Sequence, residues 1–136
     1  MHKIRVTLTG LMILMISAFA LTVASPMAVA QRAPNLTISW TILLHGPAIY
    51  GLTPIGNSSY DVEHGFQSFE ADCDSVNLPD GTPLDVFVNG KKVGSIQLLD
   101  QGGALMLTGR RTPKITKGTT VSFHHQNGPA ILTGKY

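Results

Sequence analysis

The chain has 136 residues with one cysteine, ten Lys and Arg, and eight Asp and Glu, which gives a formal net charge of +2 at pH 7. An internal disulfide is excluded, and the small positive balance does not suit a nucleic-acid-binding protein, which would carry a clear basic surplus. The length fits one domain with its own hydrophobic core.

The N-terminus has the pattern of a secretory signal peptide. Two basic residues precede an apolar run over residues 6–24, and Pro26 follows the run. Small residues, Ala28 and Ala30, stand three and one positions before the expected cleavage site. We therefore predict cleavage before Gln31, and an uncleaved membrane anchor is the alternative.

Cleavage would leave a signal peptide, residues 1–30, and one mature domain, residues 31–136. Two of the ten basic residues lie in the signal peptide and all eight acidic residues follow it, so the mature domain would have no formal net charge. We expect a secreted or periplasmic protein that binds no nucleic acid and, once the signal is removed, no membrane.

The first strand is predicted at residues 36–44, where apolar side chains occupy every second position. Trp40 is in phase with Leu44, so we place its side chain in the core. Residues 48–50 form a short apolar piece. The Gly, Pro, Asn and Ser residues of segment 51–59 indicate turns.

The next strand alternates Phe69, Ala71 and Cys73 with polar and acidic residues. This pattern is typical of an antiparallel sheet with one buried and one solvated face. We therefore expect Cys73 to be a buried, inert thiol. A catalytic thiol or an intermolecular disulfide is the alternative interpretation.

A β-hairpin is predicted in the sequence "NLPDGTPLDVFVNGKKVGSIQL", which covers residues 77–98. Asn89 and Gly90 both tolerate the positive φ angles of a type I′ turn, and this turn places Val86 opposite Val93. The apolar positions change phase after Val93, so we predict a β-bulge at Gly94.

Turns at residues 100–103, 116–119 and 127–129 separate three further apolar runs. No segment after the signal peptide has a helical period. About eight short strands between Gly, Pro, Asn and Asp residues predict an all-β fold. We expect a single antiparallel β-sandwich, either immunoglobulin-like or small and barrel-like.

Several segments share a pattern of turn residues and short strands: "VNLPDGT" at residues 76–82, "DVFVNGKKVG" at 85–94 and "ILTGKY" at 131–136. With them, the region from residue 44 to residue 136 resembles a recurrent family of small secreted bacterial all-β domains. The resemblance implies an exported all-β domain, and it implies neither catalytic residues nor a ligand.

The charges are segregated along the sequence, with acidic residues concentrated in residues 61–85 and basic residues in residues 91–135. They could pair across the strands of one sheet, or form two opposite patches that meet head to tail between copies. Lys91 and Lys92 follow the predicted hairpin turn, so we take them as candidates for protein interaction.

Enzyme chemistry is not expected, because the nucleophile motif G-x-S-x-G and the zinc motif H-E-x-x-H are absent. His124 and His125 are neighbours on a predicted strand, so they point to opposite faces and cannot chelate one ion together. We therefore assign no catalytic residue, no metal and no cofactor.

Two functions are favoured by this pattern. The first is a non-enzymatic exported domain for structure or protein interaction at the cell envelope or outside the cell, with self-association as its specific form. The alternative is a module that binds a carbohydrate or small ligand through Tyr50, Tyr60 and Phe66, which we place beside loops. A third hypothesis is an enzyme inhibitor or small hydrolase that uses Cys73 or a histidine.

Overall fold

The structure is a computed structural model that describes residues 36–136. The predicted signal peptide lies outside the described residues. The described part contains eight strands and one short 3₁₀ helix at Gly109–Arg111. The strands are β1 (Ile38–His45), β2 (Ile55–Glu63), β3 (Phe66–Asp74), β4 (Pro83–Val88), β5 (Lys91–Gln97), β6 (Gly103–Thr108), β7 (Thr120–His125) and β8 (Ala130–Lys135).

All eight strands belong to one antiparallel sheet in the order β5-β4-β7-β8-β1-β2-β3-β6. The two edge strands, β5 and β6, follow each other in the chain and lie side by side. A Cβ atom on Gly94 of β5 would come within 2.7 Å of the Leu105 side chain of β6. The sheet is therefore nearly closed and barrel-like, which confirms the all-β prediction of about eight strands.

The core lies inside the curled sheet, where the inward-facing side chains of all eight strands meet. Its largest fully buried members are Phe69, Phe123, Leu44, Leu84, Leu98 and Leu132. The alternation predicted for β3 is confirmed, since Phe69, Ala71 and Cys73 are all buried. Burial of these apolar faces is the main stabilising contribution to such a fold.

The turn prediction for segment 51–59 is confirmed for residues 51–54 and wrong for residues 55–59, because β2 begins at Ile55. The strand has a polar residue, Ser58, at an inward position, so it lacks the usual apolar alternation. The Ser58 hydroxyl donates to the carbonyl oxygen of Glu70 at 3.1 Å and lies 2.8 Å from the Tyr136 hydroxyl. A buried hydroxyl with hydrogen-bond partners is tolerated in a core. Residues 48–50 form no strand and contribute one isolated bridge, between Ile49 and Leu52.

The β4–β5 hairpin has the predicted turn. Asn89 has φ of 49° and Gly90 has φ of 76°, as a type I′ turn requires. The predicted pairing after the turn is wrong by one residue, because Val86 pairs with Gly94. The extra residue of the bulge is therefore Val93, one position before the predicted Gly94.

Antiparallel connectivity sends alternate loops to opposite ends of the sheet. One end carries the β2–β3 and β4–β5 hairpin turns and the long β6–β7 connection. The other end carries the β1–β2, β3–β4, β5–β6 and β7–β8 connections. In the described part of the chain, no helix has both the length and the apolar character needed to span a bilayer.

Candidate functional site

The basic residues gather at one end of the sheet. β5 begins there, the 3₁₀ helix and the β6–β7 connection lie there, and β8 finishes there. These elements carry all seven Lys and Arg residues of the described range. We call this the basic end: Lys91, Lys92, Arg110, Arg111, Lys114, Lys117 and Lys135.

The opposite end carries acidic residues, and within residues 36–136 it carries no Lys or Arg. We call it the acidic end and define it by Asp74, Asp80 and Asp100. Asp80 accepts a hydrogen bond from the backbone N–H of Asp100 at 2.9 Å, which joins the β3–β4 and β5–β6 connections. The other five acidic residues lie along β2, β3 and β4.

Cross-strand pairing accounts for few of these charges. Within the described residues, one Lys or Arg forms an ion pair with an acidic side chain: Nζ of Lys92 lies 2.8 Å from Oδ1 of Asp85. Oγ of Ser95 donates to the same carboxylate at 2.6 Å. The hydrogen bond from Lys92, followed by that from Ser95, holds the pKa of Asp85 below its ordinary value. The cations are segregated at one end, as the two-patch interpretation expects, whereas the carboxylates are divided between the acidic end and the strands, with Glu63 at the β2–β3 turn.

A groove of about 560 Å³ lies at the basic end, between the start of β5 and the segment that follows β6. We call it the basic groove. Lys91 and Lys92, the predicted interaction residues, line one wall. The residues of the other wall come about 20 positions later in the sequence, and the fold brings them beside the two lysines: Arg110, Arg111, Thr112, Pro113 and Lys114.

Both walls of the basic groove have anchored backbones. The hydroxyl of Thr112 lies 3.2 Å from the carbonyl oxygen of Gln67 and 3.3 Å from that of Leu107, and Ile115 is buried. On the other wall, Oδ1 of Asn89 accepts the backbone N–H of Thr120 at 2.9 Å. The backbone N–H of Asn89 donates to the Thr120 carbonyl oxygen, also at 2.9 Å. The backbone positions from which the Lys and Arg side chains project are therefore fixed.

A second groove, of about 470 Å³, is lined by aromatic and polar residues. We call it the aromatic groove, and its lining is Ser39, Trp40, Thr41, Ile42, Lys117 and Tyr136. The prediction that Trp40 lies in the core is wrong, because its side chain is 38% exposed. β8 pairs with β1 only at His45 and Thr133, so the first half of β1 has β2 on one side and no paired strand on the other side, where Trp40 is left partly exposed.

Tyr60 lies in β2 and is 7% exposed, so its predicted position beside a loop is wrong. The centroid of its ring lies 6.2 Å from that of Trp40, its cross-strand neighbour. Tyr50 and Phe66 are 84% and 60% exposed, as surface residues should be. They lie at opposite ends of the sheet, however, so the three predicted residues form no common platform.

The nucleophilic and metal-binding candidates lie apart from both grooves. Cys73 is 4% exposed, as predicted, and burial raises the pKa of its thiol to about 11. Nδ1 of His124 donates to the carbonyl oxygen of Gly128 at 2.9 Å, so Nε2 accepts from the Ser122 hydroxyl at 3.0 Å. Among residues 36–136, no three His, Cys, Asp or Glu side chains are grouped to hold a metal ion.

No protein-family model, curated protein or solved structure matches the chain. Function is therefore inferred from what the two ends and the two grooves can contact. A fold alone would not decide this, because one fold supports many functions.

Proposed function

We propose that the protein is a non-enzymatic exported interaction domain that acts at the cell envelope or outside the cell. Its copies associate head to tail, with the basic end of one molecule against the acidic end of the next. The observation that carries this proposal is the position of all seven described Lys and Arg residues at one end of the sheet. The signal-peptide pattern and the resemblance to secreted bacterial domains support export.

The distance between the two ends favours contact between copies over attraction within one copy. A strand of six residues is about 20 Å long. At physiological ionic strength, charges more than about 8 Å apart are largely screened. Opposite charges at the two ends therefore gain little from each other within one molecule, and they gain more when a second molecule brings them into contact.

Such a contact uses two different surfaces of each molecule. It leaves one free basic end and one free acidic end on every dimer, so growth continues unless a ring closes. Because the contact is electrostatic, added salt should weaken it. The proposal therefore expects mass that rises with protein concentration and falls with salt.

Static light scattering of the mature domain at low and high salt tests the proposal. We expect oligomers at low salt that dissociate as salt is added. Asp74→Asn with Asp100→Asn should weaken association, whereas the control Asp61→Asn with Glu70→Gln, which changes net charge equally away from the acidic end, should preserve it. A monomer at all concentrations in low salt would contradict the proposal.

A second candidate function, carbohydrate binding, is favoured by the exposed indole in the aromatic groove. The partly exposed Trp40 ring and the half-buried Tyr136 ring, beside hydroxyl and ammonium groups, suit a sugar, which has both apolar faces and polar edges. Trp40 is the only tryptophan in the chain, so its fluorescence reports directly on the groove. A glycan array with the wild-type domain and Trp40→Ala tests this candidate, and retention that is equal for both proteins, or absent from both, would overturn it.

A further inference from the structure

The basic groove concentrates positive charge that the described structure does not neutralise. Five cationic side chains line it, and within residues 36–136 only Lys92 is paired with a carboxylate. Like charges held close together repel one another, and a bound anion relieves that repulsion. Five of the seven cations of the basic end line the groove, and the other two, Lys117 and Lys135, lie outside it.

The backbone segments that carry these cations are anchored by hydrogen bonds and packing. The wall with Arg110 and Arg111 follows β6 and is fixed by Thr112 and by the buried Ile115. The wall with Lys91 and Lys92 belongs to the start of β5, behind the Asn89 turn. A ligand that meets side chains on a fixed backbone loses less ordering entropy than one that must first organise a loop.

The side chains and the volume of the groove select a chemical class. Arg side chains match the geometry of phosphate oxygens with two parallel hydrogen bonds, and Lys side chains add point charges. A groove of about 560 Å³ falls within the usual size range of sites for small ligands. That volume is more than one phosphate group needs.

We propose that the basic groove binds a compact ligand that carries two or more linked phosphate groups. A phosphate chain contacts the Arg side chains of one wall and the Lys side chains of the other at the same time. Orthophosphate carries only one phosphate group, so we expect it to bind more weakly than a phosphate chain. The site does not depend on head-to-tail association, because one molecule supplies all of its residues.

Isothermal titration calorimetry with tripolyphosphate tests the proposal, at a protein concentration and salt at which the domain is monomeric. We expect saturable binding to the wild type and much weaker binding of orthophosphate. Arg110→Gln with Arg111→Gln should weaken tripolyphosphate binding about a hundredfold, since each Arg supplies charge-assisted hydrogen bonds. Both side chains are exposed, so the variant should fold normally.

The matched control is Lys117→Gln with Lys135→Gln, which removes the same charge from the basic end outside the groove. We expect this control to bind tripolyphosphate like the wild type. An equal loss in both variants would mean diffuse attraction and would overturn the site, as would the absence of binding. Association of copies should weaken in both variants, whereas tripolyphosphate binding should weaken only in the Arg110 and Arg111 variant. The two measurements therefore test the two proposals independently.

A second experiment distinguishes a phosphate chain in solution from the phosphate groups of a lipid surface. Phosphatidylcholine vesicles with and without phosphatidylglycerol present single phosphate groups on a surface. We expect no difference in co-sedimentation between them at physiological salt. Binding to the phosphatidylglycerol vesicles without binding to tripolyphosphate would contradict a compact phosphate-chain ligand.

Discussion

The ammonium nitrogen of Lys92 lies 2.8 Å from the carboxylate of Asp85, across the β4–β5 hairpin. This is the one ion pair between a Lys or Arg and an acidic side chain in the part of the chain that the structure describes. The other six described cations are therefore available to partners. The pair also gives a local test of the electrostatics at the basic end.

Lys92→Gln should raise the pKa of Asp85 toward its ordinary value, because Lys92 is the main cause of the depression and Ser95 the second. Ser95→Ala should raise it less. A depressed carboxyl pKa contributes stability above the pKa of the unfolded chain, and this contribution is lost as pH falls through the folded-state pKa. Carboxyl NMR titration measures both variants, and a larger shift in Ser95→Ala would contradict this ranking.

Asn89 should be the residue of the hairpin turn on which stability most depends. Asn89→Ala removes the acceptor of the Thr120 N–H. It also places alanine, which tolerates positive φ less well than asparagine, at a φ of 49°. We expect a loss of about 2 kcal/mol in the free energy of unfolding, measured with urea. Asn89→Asp keeps the oxygen acceptor and should lose much less. Equal losses would mean that neither the hydrogen bond nor the tolerance for positive φ explains the loss.

Cys73 should be unreactive in the folded protein. Only the thiolate is nucleophilic, and burial both shields the sulfur and raises its pKa to about 11. A thiol reagent at pH 8 should label the native protein very slowly and the urea-unfolded protein at once. Rapid labelling of the folded protein would contradict the buried position and would restore a catalytic or redox role for this residue.

The same burial predicts a loss of stability at alkaline pH. The folded-state pKa values of Cys73 and Tyr136 are raised, in both cases mainly by burial. Their contributions are complete below the unfolded-state pKa values and are lost as pH rises through the folded-state values. For Cys73, a rise from 9.0 to about 11 corresponds to about 3 kcal/mol. Urea unfolding from pH 8 to 11 measures the decline in the free energy of unfolding. The decline should be smaller in Cys73→Ala, and a decline equal to that of the wild type would contradict this prediction.

Local features of the fold could be predicted from the sequence. Asn89 and Gly90 favour a type I′ turn through their tolerance of positive φ. In strands with alternating apolar residues, the alternation predicts which face is buried. β2 was missed because Gly56 and Ser58 occupy inward positions that apolar residues usually fill. Trp40 was misplaced because its exposure depends on where β8 stops pairing with β1, which the sequence of β1 does not show.

The candidate site could be predicted only in part. Lys91 and Lys92 could be predicted as an exposed pair, but their neighbours Arg110, Arg111 and Lys114 follow the other edge strand, β6. That proximity depends on β5 and β6 being the two edge strands. One signal was available: successive antiparallel strands place alternate loops at the same end, which already assigns the basic segments to one end.

The most direct test of head-to-tail association is sedimentation equilibrium of two charge-reversed variants, alone and mixed, at low salt. Replacement of Lys91, Arg110, Arg111, Lys114 and Lys117 by Glu leaves two cations and five new carboxylates at the basic end and so makes it acidic, and Asp74→Lys with Asp100→Lys makes the acidic end basic. Each variant alone should be monomeric, because its two ends repel those of its copies, and the equimolar mixture should associate. A monomeric mixture, or association of either variant alone as strong as that of the wild type, would contradict the account.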